Sequence, residues 1–144
     1  MNEFWFHHVG VSVADLDAAI SWWNRMLGFK VERRYRLEAI PAEIAVLSNG
    51  GVHVELFAPD NARPKPVERS EPDLDVLTLG NKHVAFSVAD VRATVERLAE
   101  RGADVVWIKD FPNGRAASYI RDGEGNLIEF VQWPKVEPGV AYIG

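Results

Sequence analysis

The sequence predicts an α+β fold built from two copies of one βαβββ unit. Three observations predict it: a phrase that occurs twice without a gap, a helical stretch after each copy, and a matched His-to-Glu spacing that closes each unit. His8-Val-Gly-Val-Ser-Val-Ala-Asp-Leu16 aligns with His83-Val-Ala-Phe-Ser-Val-Ala-Asp-Val91, with seven of nine positions identical or exchanged between aliphatic residues. Glu55 lies 47 residues after His8, and Glu129 lies 46 residues after His83. Internal repeats constrain the whole fold, and two units are too few for a solenoid, so duplication and pairing are the expectation. The first unit covers about 4–57, a connection 58–80, the second unit 81–132 and a tail 133–144, within a single domain of 144 residues.

The elements follow from the pattern. Residues 7–13 alternate, with Val9, Val11 and Val13 on one face and His8, Gly10 and Ser12 on the other, which is the period of a strand. Residues 83–88 set Val84, Phe86 and Val88 opposite His83, Ala85 and Ser87 in the same way. Asp15 and Asp90 stand where a helix N-cap belongs, because a side-chain oxygen there accepts an orphan backbone N–H. Leu16, Ala19, Ile20, Trp23 and Leu27 form one face of an amphipathic helix that Gly28 ends in the left-handed conformation. Val91, Val95 and Leu98 form the second helix face, before Gly102. Strands are predicted over 29–36, 42–49 and 51–57, and again over 103–108, 116–121 and 126–132. Asp122-Gly-Glu-Gly-Asn126 is a turn between the last two. Four of the eight prolines fall in 58–80, so that segment reads as a linker, and the tail from Trp133 reads as irregular.

Composition removes several classes of function. With no cysteine, disulfides, thiolate zinc sites and cysteine nucleophiles are excluded. The net charge of −5 and pI of 5.4 count against nucleic acid or an anionic membrane as a partner. The N-terminus has no apolar signal region, and no run approaches the ~20 apolar residues of a membrane span. A cytoplasmic protein acting on a small molecule is the expectation. Phosphate-binding glycine loops and a G-x-S-x-G elbow are both missing from the sequence.

His8 and His83 face away from the valines, beside small residues that leave room for a ligand, and Glu55 and Glu129 sit inside apolar strands. An unpaired carboxylate in such a place is costly, and one divalent cation satisfies all four groups. Imidazole and carboxylate donors without thiolate suit Fe, Mn, Co, Ni or Zn, and leave positions open for water or substrate.

These phrases, with Leu27-Gly28-Phe29, Val54-Glu55-Leu56 and Asp122-Gly-Glu-Gly-Asn-Leu-Ile-Glu129, resemble the vicinal oxygen chelate superfamily over roughly residues 4–132. That superfamily includes glyoxalase I, methylmalonyl-CoA epimerase, extradiol dioxygenases and antibiotic-resistance proteins. The resemblance implies a curved, open mixed sheet that cups a metal, with His8, Glu55, His83 and Glu129 as its ligands. It implies a homodimer, in some relatives with sites shared between subunits. It also implies a lyase or isomerase that moves a proton next to a carbonyl through a metal-stabilised enediolate. Glu129 would be the base and Glu55 its symmetric partner. The alternatives are an extradiol-type dioxygenase, against which Glu55 counts because that position carries no ligand in such enzymes, and a protein that binds a drug or metabolite without turnover.

Other residues carry two readings each. His7 reads as an ordinary surface or sheet-edge residue. His53 shares the face of Glu55 and is either a proton carrier beside the metal or an exposed strand-end residue. Trp22 lies off the main helical stripe and reads as partly buried, with an interface as the alternative. Arg33, Arg34 and Arg36 read as a solvated strand face rather than an anion site. Lys109–Arg115 is either a plain connector or a loop over the site.

Overall fold

The computed structural model describes residues 3–134, so the tail beyond Pro134 lies outside the described residues. In chain order the elements are β1 (Val9–Ser12), α1 (Leu16–Leu27), β2 (Lys30–Leu37), β3 (Ala42–Asn49), β4 (Val52–Pro59), a 3-10 turn (Val67–Ser70) and α2 (Pro72–Asp75). The second unit then gives β5 (Val84–Ser87), α3 (Val91–Glu100), β6 (Asp104–Phe111), a 3-10 turn (Pro112–Gly114), β7 (Arg115–Arg121) and β8 (Leu127–Gln132). Two four-stranded mixed sheets result, ordered β1-β4-β3-β2 and β5-β8-β7-β6. In each, the first strand runs parallel to the last and the other pairings are antiparallel. The fold is α+β in two matching units.

The local reasons are those the sequence offers. Asp15 Oδ1 accepts from Ala18 N at 2.9 Å, and Asp90 Oδ1 accepts from Ala93 N at 2.9 Å, so each helix begins on its aspartate. Gly28 ends α1 at φ 71°, and its N–H donates to the Asn24 carbonyl. The turn before β8 is organised by Asp122: Oδ1 accepts from Glu124 N at 2.9 Å and Asn126 N at 2.8 Å, and Oδ2 from Asn126 Nδ2 at 2.9 Å.

Three expectations change. The segment 109–115 is not a free loop: Lys109, Asp110 and Phe111 continue β6, and only Pro112–Gly114 turns. Phe111 still pairs with Arg115, and the ladder holds both strands to their ends. The connection 58–80 is also partly ordered. Pro59 ends β4, and buried Asp75 sits between Arg69, whose Nε is 2.8 Å from Oδ1, and Lys82, whose Nζ is 3.7 Å away. The Arg69 contact lacks hydrogen-bond alignment, so it is an attraction of charges. Lys65 donates to Ser70 Oγ at 2.6 Å and also to the Gly125 carbonyl, while Arg121 Nε donates to the Ser70 carbonyl at 2.7 Å. The connection is thereby tied to the second unit. Finally, Trp22 is buried, not half-exposed. It packs edge-on to Trp23 and faces the second unit's turn, where a Cβ added to Gly123 would lie 3.6 Å from its ring. Helical periodicity within one unit cannot reveal a neighbour supplied by the other.

One core serves both units. Trp23, Phe29, Phe86 and Phe130 form a chain of rings with successive centroids 5.2, 6.1 and 6.1 Å apart, crossing from α1 to β8. Val54, Leu56 and Ile128 join it from the helix-facing sides of both sheets, and Val91 joins it from α3. Full burial of each such side chain contributes roughly 1.5–3 kcal/mol.

Candidate functional site

Each unit builds a His–Glu pair in the same way. In β1 and β5 the exposure alternates, so the apolar residues turn inward and the opposite face is left to small or polar ones. Directly beside them, β4 and β8 bury Val54, Leu56, Ile128 and Phe130 and turn Glu55 and Glu129 the other way. His8 Nε2 lies 3.1 Å from Glu55 Oε2, and His83 Nε2 lies 3.0 Å from Glu129 Oε2. Both carboxylates are over four-fifths buried, at 16% and 18% side-chain exposure, so the imidazole partner matters.

Within one chain the four residues form two pairs, one on each sheet. Among the described residues no group of three His, Asp or Glu side chains is placed to hold a metal. The shared core lies on the helix side of both sheets, and the pairs stand on the opposite faces. Each pair is still a chemically sound half-site, since a borderline cation accepts an imidazole nitrogen and a carboxylate oxygen side by side. Two donors fit such an ion as part of a set and leave it short of the usual four.

The two half-sites differ in their third partner. A bulge in β2 and another in β6 skip one residue of the ladder, at Glu32 and at Val106. The extra residue changes which face the strand presents. Arg33 and Tyr35 therefore register with Val46 and Ile44, and Trp107 registers with Tyr119, which in turn registers with Glu129. The Tyr35 hydroxyl donates to Glu55 Oε1 at 2.8 Å, and this bond is the main cause holding its phenol pKa above the ordinary value. The Tyr119 hydroxyl lies 3.2 Å from His83 Nε2. Burial, reinforced by the Glu129 charge and by hydrogen bonding to Glu129, pushes the Tyr119 phenol up to about 12, so it keeps its proton at neutral pH. Neither tyrosine stands out in the sequence. The bulge breaks the period-two pattern that would have shown Tyr35 and Trp107 on the face of the glutamates.

The remaining candidates fall as follows. His7 is not isolated: it stacks on His53 with centroids 6.0 Å apart and touches His8, Nδ1 to Nδ1, at 2.6 Å. His53 does share the Glu55 side of β4, and its Nε2 lies 3.4 Å from Glu32 Oε2. Arg34 is held by Asp17 at 2.6 Å and Arg36 by Asp60 at 2.6 Å, so both are structural; Arg33 lies over the Tyr35 ring. The space beside Gly10 is not left for a ligand, since a Cβ there would meet the Phe57 ring at 3.1 Å.

The connection lies over part of the second sheet. The connection carries Pro72 and Asp75 over its face and closes a cavity of about 390 Å³, within the range of small-molecule sites. His83, Tyr119 and Glu129 line one part of it, and Trp107, Phe111 and Trp133 give it aromatic walls.

Residues 5–130 match the model of the glyoxalase/bleomycin resistance protein/dioxygenase superfamily. The chain belongs to that superfamily. It is 29% identical over 129 residues to the uncharacterized protein YwkD of Bacillus subtilis (strain 168), covering 88% of this chain and 94% of that protein. A glyoxalase family protein from Enterococcus faecalis has the same fold, with a TM-score of 0.75 at 23% identity, covering 91% of this chain and 99% of that one. The trypanothione-dependent glyoxalase I of Leishmania major superposes with a TM-score of 0.66 at 20% identity, over 88% of this chain and 84% of that chain. Members of the superfamily typically bind a divalent metal. Among the described residues no helix is long and apolar enough to cross a membrane.

Proposed function

We propose that the protein is a divalent-metal-dependent lyase or isomerase that moves a proton at a carbon next to a carbonyl. The observation that carries this reading is the Glu129 carboxylate, 3.0 Å from His83 Nε2 and facing a cavity of about 390 Å³. His83 and Glu129 would hold the ion on this face, and His8 and Glu55 on the other unit. When bound, the ion supplies Lewis-acid polarisation of a substrate oxygen.

The chain's own groups supply the proton chemistry. Glu129 is the base: its carboxylate takes the proton from the carbon, and the C–H electron pair moves toward the carbonyl. Tyr119, protonated at neutral pH, offers a hydroxyl beside His83 to the oxygen that gains charge. The aromatic side chains of Trp107, Phe111 and Trp133 lower the polarity of the cavity, which strengthens both interactions. Glu55, hydrogen-bonded to Tyr35, is the symmetric candidate for returning the proton.

We further propose a homodimer in which the first-unit face of one copy meets the roofed face of the other and brings the half-sites together. The open face of the first sheet and the two-donor half-sites support it. Light scattering at micromolar concentration is expected to give a dimer; a monomer contradicts it.

The decisive test combines elemental analysis of the purified protein with solvent-deuterium incorporation, using methylglyoxal–glutathione, acyl-CoA thioesters and catechols. Glu129→Gln is expected to keep much of the metal and to lose about 10²–10⁴-fold in exchange, the range of general acid–base catalysis. Stoichiometric O₂ uptake with a catechol, and exchange untouched in Glu129→Gln, would replace this reading with the dioxygenase.

A further inference from the structure

The cavity over the second sheet has two chemically different ends. One rung of the sheet carries Trp107, Tyr119 and Glu129 in register. The next carries Lys109, Ala117 and Val131, and beyond it Phe111 pairs with Arg115. Ala117 keeps the floor between the ends low. From Tyr119 to Arg115 is four residues of strand, or roughly 13 Å of backbone. The cavity is thus a short trough with the His–Glu pair at one end, an arginine at the other and aromatic walls between.

Arg115 is half-buried, its guanidinium 4.1 Å from the centre of the Trp133 ring. Among the described residues no carboxylate pairs with it. The other cation of the lining, Lys82, is already committed to Asp75 and to the Thr78 carbonyl. Of the roof carboxylates, Asp75 is neutralised by Arg69 and Lys82, and Asp73 is exposed to solvent. Lys109, on the middle rung, is exposed with its ammonium 4.2 Å over the Trp107 ring and does not line the cavity, so among the described residues Arg115 is the lining cation left for an anion. A guanidinium resting on an indole keeps its planar edge free for a carboxylate, which it binds through two parallel hydrogen bonds.

We propose that Arg115 selects the substrate: the trough takes a small carbonyl compound with a flat or branched apolar body and a single carboxylate at the end remote from the reacting carbon. The position of the carbonyl end rests on the function proposed above; the carboxylate end rests on Arg115 alone. Substrates with several charges along the body are disfavoured, because the walls offer them no partner.

The test is a binding measurement on the purified protein, by calorimetry and by the fluorescence of the lining tryptophans. The probes are para-acetylbenzoate and its methyl ester, which share body and ketone and differ in charge. The wild type is expected to prefer the acid by about 10–100-fold, the worth of a hydrogen-bonded charge. Arg115→Gln should remove that preference without weakening the ester, and Arg115→Lys should keep part of it. Equal binding of acid and ester, no saturable binding of the acid, or an acid preference that survives Arg115→Gln would each overturn the proposal. If Arg115→Gln does not fold, the wild-type ratio and Arg115→Lys decide. The two readings fail separately. Arg115-dependent acid binding with no carbon–proton exchange sinks the reaction and leaves the selectivity. Equal exchange of acid and ester, indifferent to Arg115→Gln, sinks the selectivity and leaves the reaction.

Discussion

Glu129 and Glu55 occupy equivalent places in the two units, yet their surroundings differ. Glu55 receives a hydrogen bond from Tyr35, whereas Glu129 shares a roofed cavity with Tyr119 and His83. For the metal, His8→Ala and His83→Ala are each expected to remove most of the bound ion, read by elemental analysis after dialysis. Ligand nitrogens must be deprotonated, so retention should also fall in the wild type as the pH is lowered. Full retention in either variant would show that residue not to be a ligand. His8 and His83 were visible in the sequence because the repeat doubled the signal. Tyr119, Trp107 and Arg115 were not, because each occurs once and its partner lies on another strand.

At the scale of elements, the caps and edge clamps carry the register on which the pairs depend. Asp15→Ala and Asp90→Ala should each cost about 1 kcal/mol in denaturant unfolding, the usual worth of a helix N-cap. Arg36 on the edge strand β2 grips Asp60, just past the end of β4, through two hydrogen bonds of 2.6 and 3.2 Å. That grip lowers the Asp60 pKa from its ordinary 3.8, with the Arg36 hydrogen bond as the main cause. A carboxyl depressed by folding adds stability above its unfolded pKa and loses it as pH falls through the folded value. Wild type and Asp60→Asn should therefore differ in stability near neutral pH and converge below about pH 3. A constant difference across that range would count against the clamp. The edge position keeps the effect small, as for most exposed ion pairs.

Across the whole molecule, the two units are joined by contacts that the repeat does not contain. Glu124, in the turn before β8, accepts from Ala14 N at 2.6 Å and Asp15 N at 3.0 Å, at the entrance to α1. The equivalent turn of the first unit has Asn49, which donates to the Leu27 carbonyl at 2.8 Å, within its own unit. Trp22 fills the seam beside Glu124. Trp22→Ala should cost roughly 3–5 kcal/mol, as for a large-to-small change in a core, and a loss below about 1 kcal/mol would mean that the seam closes without it.

Alternation, helical spacing, capping aspartates and the doubled His-to-Glu interval act within about ten residues or repeat along the chain. The sequence by itself therefore determined the two βαβββ units, their helix starts and the four residues that form the His–Glu pairs. Tertiary structure decided everything that needs a partner from elsewhere. The bulges at Glu32 and Val106 bring Tyr35 and Trp107 onto the site side, and a period-two reading cannot register the skipped residue. The ordered connection is laid over the second sheet because Lys65 and Arg121 find partners distant in sequence, the Gly125 carbonyl for one and the Ser70 carbonyl and Glu71 carboxylate for the other. The shared core then sets the two pairs on separate sheets, since the apolar faces must meet and the polar faces are left turned away from each other.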